Sequence, residues 1–276
     1  MARKYARLKK NLADMKRVLV AFSGGVDSTL LLKAAADVLG PEVLAVSAAS
    51  ETYPPREIRE AERLAGQLGV RHRVIHTLEL KNPAFTRNRP DRCYHCKREL
   101  FTKLKKLAAA ESIPFVLDGQ NKDDRSDYRP GSRAARRLGV RSPLQEAGLT
   151  KADVRRLSRR LKLPTWDKPA LACLASRFPY RVSIDRQGLT RVGAAEEFLL
   201  GLGVRQVRVR HHGRSARIEV EPRDIGRLAR PALRDRIARR LKALGYLYIT
   251  LDLEGYRTGS LNEALRKTRP PTSPRR

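Results

Sequence analysis

Apolar positions along the chain follow two periods, one helical and one suited to short buried strands. Tyr5, Leu8, Leu12 and Met15 recur at helical spacing and predict a basic amphipathic helix over 1–16. The apolar run 17–22 predicts a strand, followed by Ser-Gly-Gly and a helix over 26–39 that stops at Gly40-Pro41. Residues 42–48 form a second predicted strand, and Pro54-Pro55 opens a helix that ends at Gly69. A third strand over 71–76, a helix over 96–110 and a fourth strand over 114–117 complete the series. Strands that alternate with helices predict an α/β fold, an open parallel sheet with helices on both faces.

The pattern changes after Pro143. Thr150 is placed to cap a helix reaching Leu161, and a segment punctuated by Pro164, Pro169 and Pro179 follows. A helix is predicted over 187–202, then strands over 204–210 and 215–220 joined by His211-His212-Gly213 as a hairpin. Two short basic helices precede a last strand over 246–251. The expected organisation is a first domain over 1–181, a smaller α+β domain over 182–268 and a disordered tail over 269–276.

Composition narrows the class. The 276 residues are 41% hydrophobic, which fits a globular chain rather than a disordered or fibrous one. The early apolar run Val18–Phe22 is far short of the roughly 20 residues that span a membrane. Residues 1–16 lack the apolar stretch of a secretory signal, and a cytoplasmic protein is expected. The formal charge of +30 invites a nucleic-acid partner. Yet 43 arginines and 16 lysines are spread through every predicted helix rather than gathered in a stripe. Aromatic residues are 5% of the chain, so few base-stacking platforms exist. Charge alone therefore does not assign a polyanion.

The first constellation that carries chemistry is Ser23-Gly24-Gly25-Val26-Asp27-Ser28, between a buried strand and a helix. Adjacent glycines let an anion approach bare backbone N–H groups, and the helix start aims its own N–H groups at the same place. The Gly-Lys-Ser/Thr ending of a Walker loop is missing. Asp118-Gly119-Gln120-Asn121-Lys122-Asp123-Asp124 follows the fourth strand and so reaches the same sheet edge. Carboxylates there suit Mg²⁺, although Asp-rich turns are also common in solvated loops.

The hexad resembles the pyrophosphate loop of the N-type ATP pyrophosphatases, which cut ATP between the α and β phosphates. That resemblance implies that Ser23, Gly24, Gly25 and Ser28 bind ATP phosphates, with Asp27 placing Mg²⁺ and Asp118, Gly119, Asp123 and Asp124 nearby.

Three cysteines cannot pair internally, which favours a reducing compartment. Cys93 and Cys96 stand two residues apart at a predicted helix entrance, and Cys173 follows far downstream in Leu171-Ala172-Cys173-Leu174-Ala175-Ser176-Arg177. A zinc site would need a fourth ligand, and His95, inside the pair, is awkwardly placed for it. Three thiolates also suit a [4Fe–4S] cluster with one open iron. On spacing alone a cluster, zinc and free thiols all remain open.

A longer series of runs is more specific. Pro90-Asp91-Arg92-Cys93-Tyr94-His95-Cys96-Lys97, Asp127-Tyr128-Arg129-Pro130-Gly131, Ser142-Pro143-Leu144, Pro164-Thr165-Trp166-Asp167-Lys168-Pro169, Cys173–Arg177, Arg208–Gly213 and Ala216–Glu219 resemble the LarE family. The resemblance runs from the first strand to about Val220. It implies an ATP-dependent sulfur transferase of nickel-pincer nucleotide biosynthesis. Such proteins adenylate a carboxylate of pyridinium-3,5-biscarboxylic acid mononucleotide and convert it to a thiocarboxylate. Members with only the cysteine matching Cys173 give up its sulfur. This sequence is similar instead to members in which three cysteines, here Cys93, Cys96 and Cys173, hold a [4Fe–4S] cluster that passes on sulfide.

The resemblance further implies a sulfide source as partner and a closed homo-oligomer, with a hexamer favoured. Ser176 and Arg177 are expected to steer the activated carboxylate beside Cys173, and Glu197, Arg210 and Arg217 are weaker candidates for substrate contacts. Trp166, the one Trp, is assigned to packing. The competing readings are a tRNA thiolase of the same superfamily and a non-catalytic protein that binds zinc and nucleic acid.

Overall fold

A computed structural model describes residues 1–125, 130–169 and 172–263. Asp127, Tyr128 and Arg129 of the family resemblance, Leu171, and the expected tail over 269–276 lie outside the described residues. The chain divides into two compact units, Met1–Leu171 and Ala172–Arg276. The sequence expectation drew its boundary at 182, ten residues further on.

In the first unit, strands β1 (Val18–Ala21), β2 (Val43–Ala49), β3 (Arg71–His76) and β4 (Phe115–Leu117) form one sheet in the order β3-β2-β1-β4. Every pairing is parallel. Helices α1 (Ala2–Met15), α2 (Val26–Leu39), α3 (Pro55–Gln67), α4 (Pro83–Thr86), α5 (Arg92–Ala110), α6 (Pro130–Arg137), α7 (Pro143–Glu146) and α8 (Lys151–Arg160) intervene. Side chains of β1 alternate between two cores. Val18 and Val20 pack with Leu8, Leu30 and Leu157 of α1, α2 and α8, while Leu19 packs with Phe101, Leu104 and Ala135 of α5 and α6. Burial on both faces is what a parallel sheet requires, and it explains the unbroken apolar run of β1.

The expected α/β architecture is therefore the one found, with small shifts at element ends. One shift matters for the chemistry. Helix α5 begins at Arg92, a turn before the predicted start, so Cys93 and Cys96 sit inside its first two turns. Helices α6 and α7 had no counterpart in the sequence expectation.

Strand order sets where a ligand can enter. From β1 the chain steps through β2 to β3 on one side, then returns to place β4 on the other side of β1. The connections after β1 and β4 diverge at that reversal, which opens a crevice at the carboxyl ends of the strands. The Ser23 loop follows β1 and the Asp118 segment follows β4, so topology brings the two motifs together.

The second unit holds α9 (Arg186–Gly201), β5 (Val207–His212), β6 (Ser215–Val220), α10 (Pro222–Ala229), α11 (Pro231–Ala243) and β7 (Tyr248–Leu251). The hairpin is present, but β5 continues through His212 and turns on Gly213-Arg214. Strand β7 joins β6 in parallel, so β6 is the central strand. Leu199, Val209, Ile218, Ile237 and Leu241 form its core. Among the described residues no helix is long and apolar enough to cross a membrane.

The start of α8 carries the Thr150 cap expected from the sequence, and Asp153 completes it as a capping box. Thr150 Oγ1 accepts from Asp153 N at 3.2 Å, and Asp153 Oδ2 accepts from Thr150 N at 3.2 Å. Lys4 of α1 donates to the same carboxylate at 2.7 Å. That ammonium, reinforced by Thr150, holds the Asp153 carboxyl well below the usual carboxylate range. A depressed folded pKa gives stability that is complete above the unfolded value of about 3.9 and is lost as pH falls below it. Asp153→Asn should therefore cost about 1 kcal/mol at pH 7. Urea unfolding should show the difference from wild type shrinking as pH is lowered below about 4.

Candidate functional site

Backbone geometry at the Ser23 loop is that of an anion cradle. Gly24 has φ of +66°, which a side chain rarely adopts, and a Cβ there would meet Ala61 of α3 at 3.5 Å. Gly25 is the N-cap of α2, and no side chain caps that helix. The first N–H groups of α2 therefore face the crevice with the positive end of the helix dipole behind them. Ser23 Oγ and Ser28 Oγ are 3.1 Å apart, and Ser28 Oγ donates to Gly25 O at 3.1 Å. The hydroxyls brace the loop from within and stay at its mouth.

Asp27 lies in the first turn of α2. Its Oδ1 accepts from Asn121 Nδ2 at 3.1 Å, and its Oδ2 forms an ion pair with Lys151. Lys168 Nζ donates to Gly24 O at 3.2 Å and bridges Glu57 and Glu60 of α3 at 3.0 and 2.8 Å. Two lysines distant in sequence thus fix the loop.

The Asp118 segment touches this loop through Gly119. A Cβ on Gly119 would fall 3.0 Å from Ser28 N and 3.2 Å from Ser28 Cα, so glycine is what allows the approach. Its carboxylates have local duties. Asp118 Oδ1 accepts from Ser142 Oγ at 2.7 Å and from Gln120 N at 3.2 Å. Asp124 Oδ2 accepts from Asn121 N at 2.9 Å, and Asp123 Oδ2 from Lys151 N at 2.8 Å. Among the described residues no group of three or more His, Cys, Asp or Glu side chains is gathered for a metal ion. Asp27 is the carboxylate on the phosphate loop itself, and a hard cation there would displace Lys151.

Cys93 and Cys96 occupy i and i+3 on α5, one exposed and the other buried. Cys96 Sγ lies 3.6 Å from Glu79 Oε1, which also accepts from Thr77 Oγ1 at 3.0 Å. His95 turns to Asp91, with Nε2 3.4 Å from Oδ2.

In the second unit, Cys173 is half-buried at the start of a short 3₁₀ turn, Leu174–Arg177. Arg177 is 3% exposed and pairs with Glu196 through Nε at 2.8 Å and Nη2 at 2.7 Å. Its Nη1 donates to Ala172 O, Cys173 O and Ser176 Oγ at 2.7, 3.0 and 2.8 Å. So Arg177 clamps the Cys173 turn onto α9. The clamp ties the Cys173 turn to the second unit.

Arg210 pairs in the same way with Glu219, at 2.9 and 2.7 Å, and donates to Ser176 O at 2.8 Å. Arg217 reaches Glu219 at 3.1 Å and Asp252 at 3.3 Å. Glu197 is exposed on α9, and its neighbour Glu196 is the buried carboxylate. Burial, then the nearby Arg177 charge, lowers the Arg208 pKa to about 10. His211 packs against Phe178 and Tyr246, and burial pushes its pKa down. Trp166 is 38% exposed with the Arg159 guanidinium 5.0 Å from its ring centroid, so it is a stacked surface residue rather than core.

Sequence reasoning missed Glu79, Asn121, Lys151, Lys168, Glu196 and Glu219. A signal existed for Glu196. Leu189, Val192 and Leu199 mark the buried face of α9, and position 196 falls on it at i+7, i+4 and i−3. Lys168 stood inside a motif already noticed, without a role. Partners of Lys151 and Glu79 are set by tertiary packing and left no sequence mark.

Two substitutions test this account. Gly119→Ala should destabilise the first unit by about 1–3 kcal/mol in urea unfolding, because its Cβ meets backbone and not a flexible side chain. Arg177→Met leaves Glu196 buried and unpaired and should cost about 3–5 kcal/mol. The double variant Arg177→Met, Glu196→Met should recover most of that loss in the same assay. A role for Arg177 confined to substrate contact predicts little change in either case.

Comparison with known proteins agrees with the fold. Residues 7–110 match the asparagine synthase family model. A Synechocystis protein of uncharacterized function is 45% identical over 264 residues, 96% of this chain and 98% of that protein. A Lactiplantibacillus plantarum protein named pyridinium-3,5-bisthiocarboxylic acid mononucleotide synthase is 43% identical over 268 residues, 97% of this chain and 96% of that protein. An uncharacterized Methanocaldococcus jannaschii protein is 28% identical over 259 residues, 93% of this chain and 98% of that protein. With the parallel sheet and its phosphate loop already in place, that end-to-end likeness decides the family: the chain belongs to the pyridinium-3,5-bisthiocarboxylic acid mononucleotide synthase (LarE) family.

Proposed function

We propose that this protein is an ATP-dependent sulfur transferase. It adenylates a carboxylate of pyridinium-3,5-biscarboxylic acid mononucleotide and converts it to a thiocarboxylate in nickel-pincer nucleotide biosynthesis. The observation that carries the ATP step is the α2 N-terminus, which has no side-chain cap and is approached by two glycines.

The chemistry explains the parts. A carboxylate is a poor acyl donor because its leaving group would be oxide. Transfer of AMP to its oxygen makes AMP the leaving group and releases pyrophosphate. Ser23, Gly24, Gly25 and Ser28 hold the departing phosphates through backbone N–H groups and hydroxyls, which offsets the charge that develops there. Asp27, which is paired with Lys151, would hold Mg²⁺ with the nucleotide, and the ion would supply charge stabilisation on the phosphates. A sulfur nucleophile then attacks the acyl carbon and AMP leaves.

For the sulfur we propose a [4Fe–4S] cluster held by Cys93, Cys96 and Cys173. What supports this reading is the chemistry of the residues: two thiols one turn apart on α5 and a third in the sequence, the soft ligand type that such a cluster takes. Such a cluster, with one iron free of protein thiolate, would supply a transferable sulfide. Cys173 is fixed by the Arg177 clamp, and in this reading Ser176 beside it steers the activated carboxylate. Arg177 acts through that turn as a positioning residue. Glu197, Arg210 and Arg217 remain candidates for contacts to the mononucleotide. Assembly into a closed homo-oligomer in the cytoplasm, with a hexamer favoured, completes the proposal.

Turnover with substrate, Mg²⁺ and labelled ATP should release AMP and pyrophosphate; ADP and phosphate would reject the loop assignment. Asp27→Asn should lower adenylation ~100-fold with little change in stability. The sulfur source is read from intact-protein mass after turnover with excess sulfide. An unchanged polypeptide with several products per chain supports the cluster, and Cys93→Ser should then abolish both its absorbance and turnover. Loss of the elements of H₂S at Cys173 after one product would reject it.

A further inference from the structure

The helical face of the first unit carries cations for which neither the fold nor the proposed reaction has a use. Where α2, α3 and the end of α8 meet, they leave a cavity of about 410 Å³. Its polar lining comes from all three: Thr29 and Lys33 of α2, Arg63 and Gln67 of α3, and Lys162 just after α8. Leu64, Leu68, Leu161, Leu163 and Pro164 supply the apolar part. None of the residues of the Ser23–Ser28 loop lines it, so it is separate from the phosphate crevice.

The lining has one sign of charge. Lys33, Arg63 and Lys162 reach the cavity from three different elements, and among the described residues no carboxylate lines it. Lys33 keeps Asp37 as an ion-pair partner, but Arg63 and Lys162 form no ion pair with a described residue. An anion placed among such charges relieves their mutual repulsion. Thr29, the least exposed of the lining residues, has a buried hydroxyl with no hydrogen-bond partner among the described residues. A native core seldom leaves such a group unsatisfied.

Lys162 also takes a backbone conformation that favours glycine. Its φ is +54°, and Lys162 N donates to Arg159 O at 3.0 Å while Leu163 N donates to Ser158 O at 2.9 Å. These bonds end α8 in a left-handed turn, and glycine stands at the equivalent place after α3, α6, α9 and α11. A side chain there costs stability, and this one lines the cavity.

We infer that the cavity binds a small organic anion, a phosphomonoester or carboxylate joined to an apolar ring. The acid group pairs with Arg63, Lys162 and Lys33, and the ring packs on the leucines. A volume of about 410 Å³ lies in the range of ligand pockets. Both halves of the ligand are needed. Inorganic phosphate would leave the leucines in water, and an uncharged ring would leave the cations without a partner.

Isothermal titration of the full chain with naphthyl phosphate, in saturating ATP and Mg²⁺, tests the site. One equivalent should bind per chain, with naphthol and inorganic phosphate each about tenfold weaker or worse. Lys162→Gly should melt at or above the wild-type temperature, because glycine adopts the left-handed turn without strain, and yet bind about tenfold more weakly. Arg63→Gln, which breaks no ion pair with a described residue, should weaken binding to a similar extent.

Wild-type affinity in both variants, equal affinity for naphthol, several weak equivalents per chain, or no binding beside ATP would each overturn the inference. A Lys162→Gly protein that melts well below wild type would make Lys162 a structural residue, and the Arg63→Gln titration then decides alone.

Discussion

The N-terminus of α2 organises the first unit. A helix start leaves its first N–H groups without partners, and most helices satisfy one of them with a Ser, Thr, Asp or Asn cap. Here the cap position is Gly25 and no side chain serves. Such an end is stable only if the surroundings hold the backbone still while leaving its N–H groups accessible. Three contacts do so: the Ser23–Ser28 hydroxyl pair, Lys168 on Gly24 O, and the backbone of Gly119 against Ser28. The sheet order makes the third possible, since only the strand on the far side of β1 can deliver a loop to that place. Asp118, Asp123 and Asp124 then make sense as the hydrogen-bonding frame of that loop.

A second constraint governs the other unit, where arginines are buried in pairs with glutamates. Arg177–Glu196 and Arg210–Glu219 are both bidentate and almost fully enclosed. Such pairs seldom stabilise a fold more than apolar residues of the same size would, because desolvation offsets their attraction. Their geometry is what they contribute. Both guanidiniums also donate to the backbone of the Cys173–Arg177 turn, which has little apolar packing of its own beyond Leu174 and Ala175. Planar, five-donor groups can bind a carboxylate and several carbonyls at once, and lysine cannot. The result is a turn in which the Cys173 backbone is held in one place.

Legibility followed the physics of each feature. The sheet and its helices were readable because apolar period and chain punctuation are local, and α2 and β3 begin and end where the sequence placed them. Helix α6 was not, since its eight residues offer only Ala134 and Ala135 to the core and its stability comes from packing on α5. The shorter β5 has a similar cause. Val204 is buried and continues the apolar alternation, but the ladder to β6 begins at Val207. At the site, the phosphate loop and cysteine spacing were local signals. The lysine partners of the loop lie 124 and 144 residues away, and no window of sequence reveals such a pairing.

Arginine also answers the question raised by the +30 charge. Read as composition, that excess points to a polyanion or to nothing in particular. Read residue by residue, its members do unlike things. Arg177 and Arg210 are framework; Arg208, at about pKa 10, is a cation kept at a cost inside the second unit. Arg159 stacks on Trp166, and Arg133 and Arg137 surround the Tyr94 ring. Net charge sums these without distinguishing them. Buried members need specific partners to be tolerated, and Arg177 and Arg210, held by Glu196 and Glu219, are the ones that contact the turn carrying Cys173. Charge in this protein is therefore informative where it is enclosed, and the exposed remainder sets solubility and encounter rates.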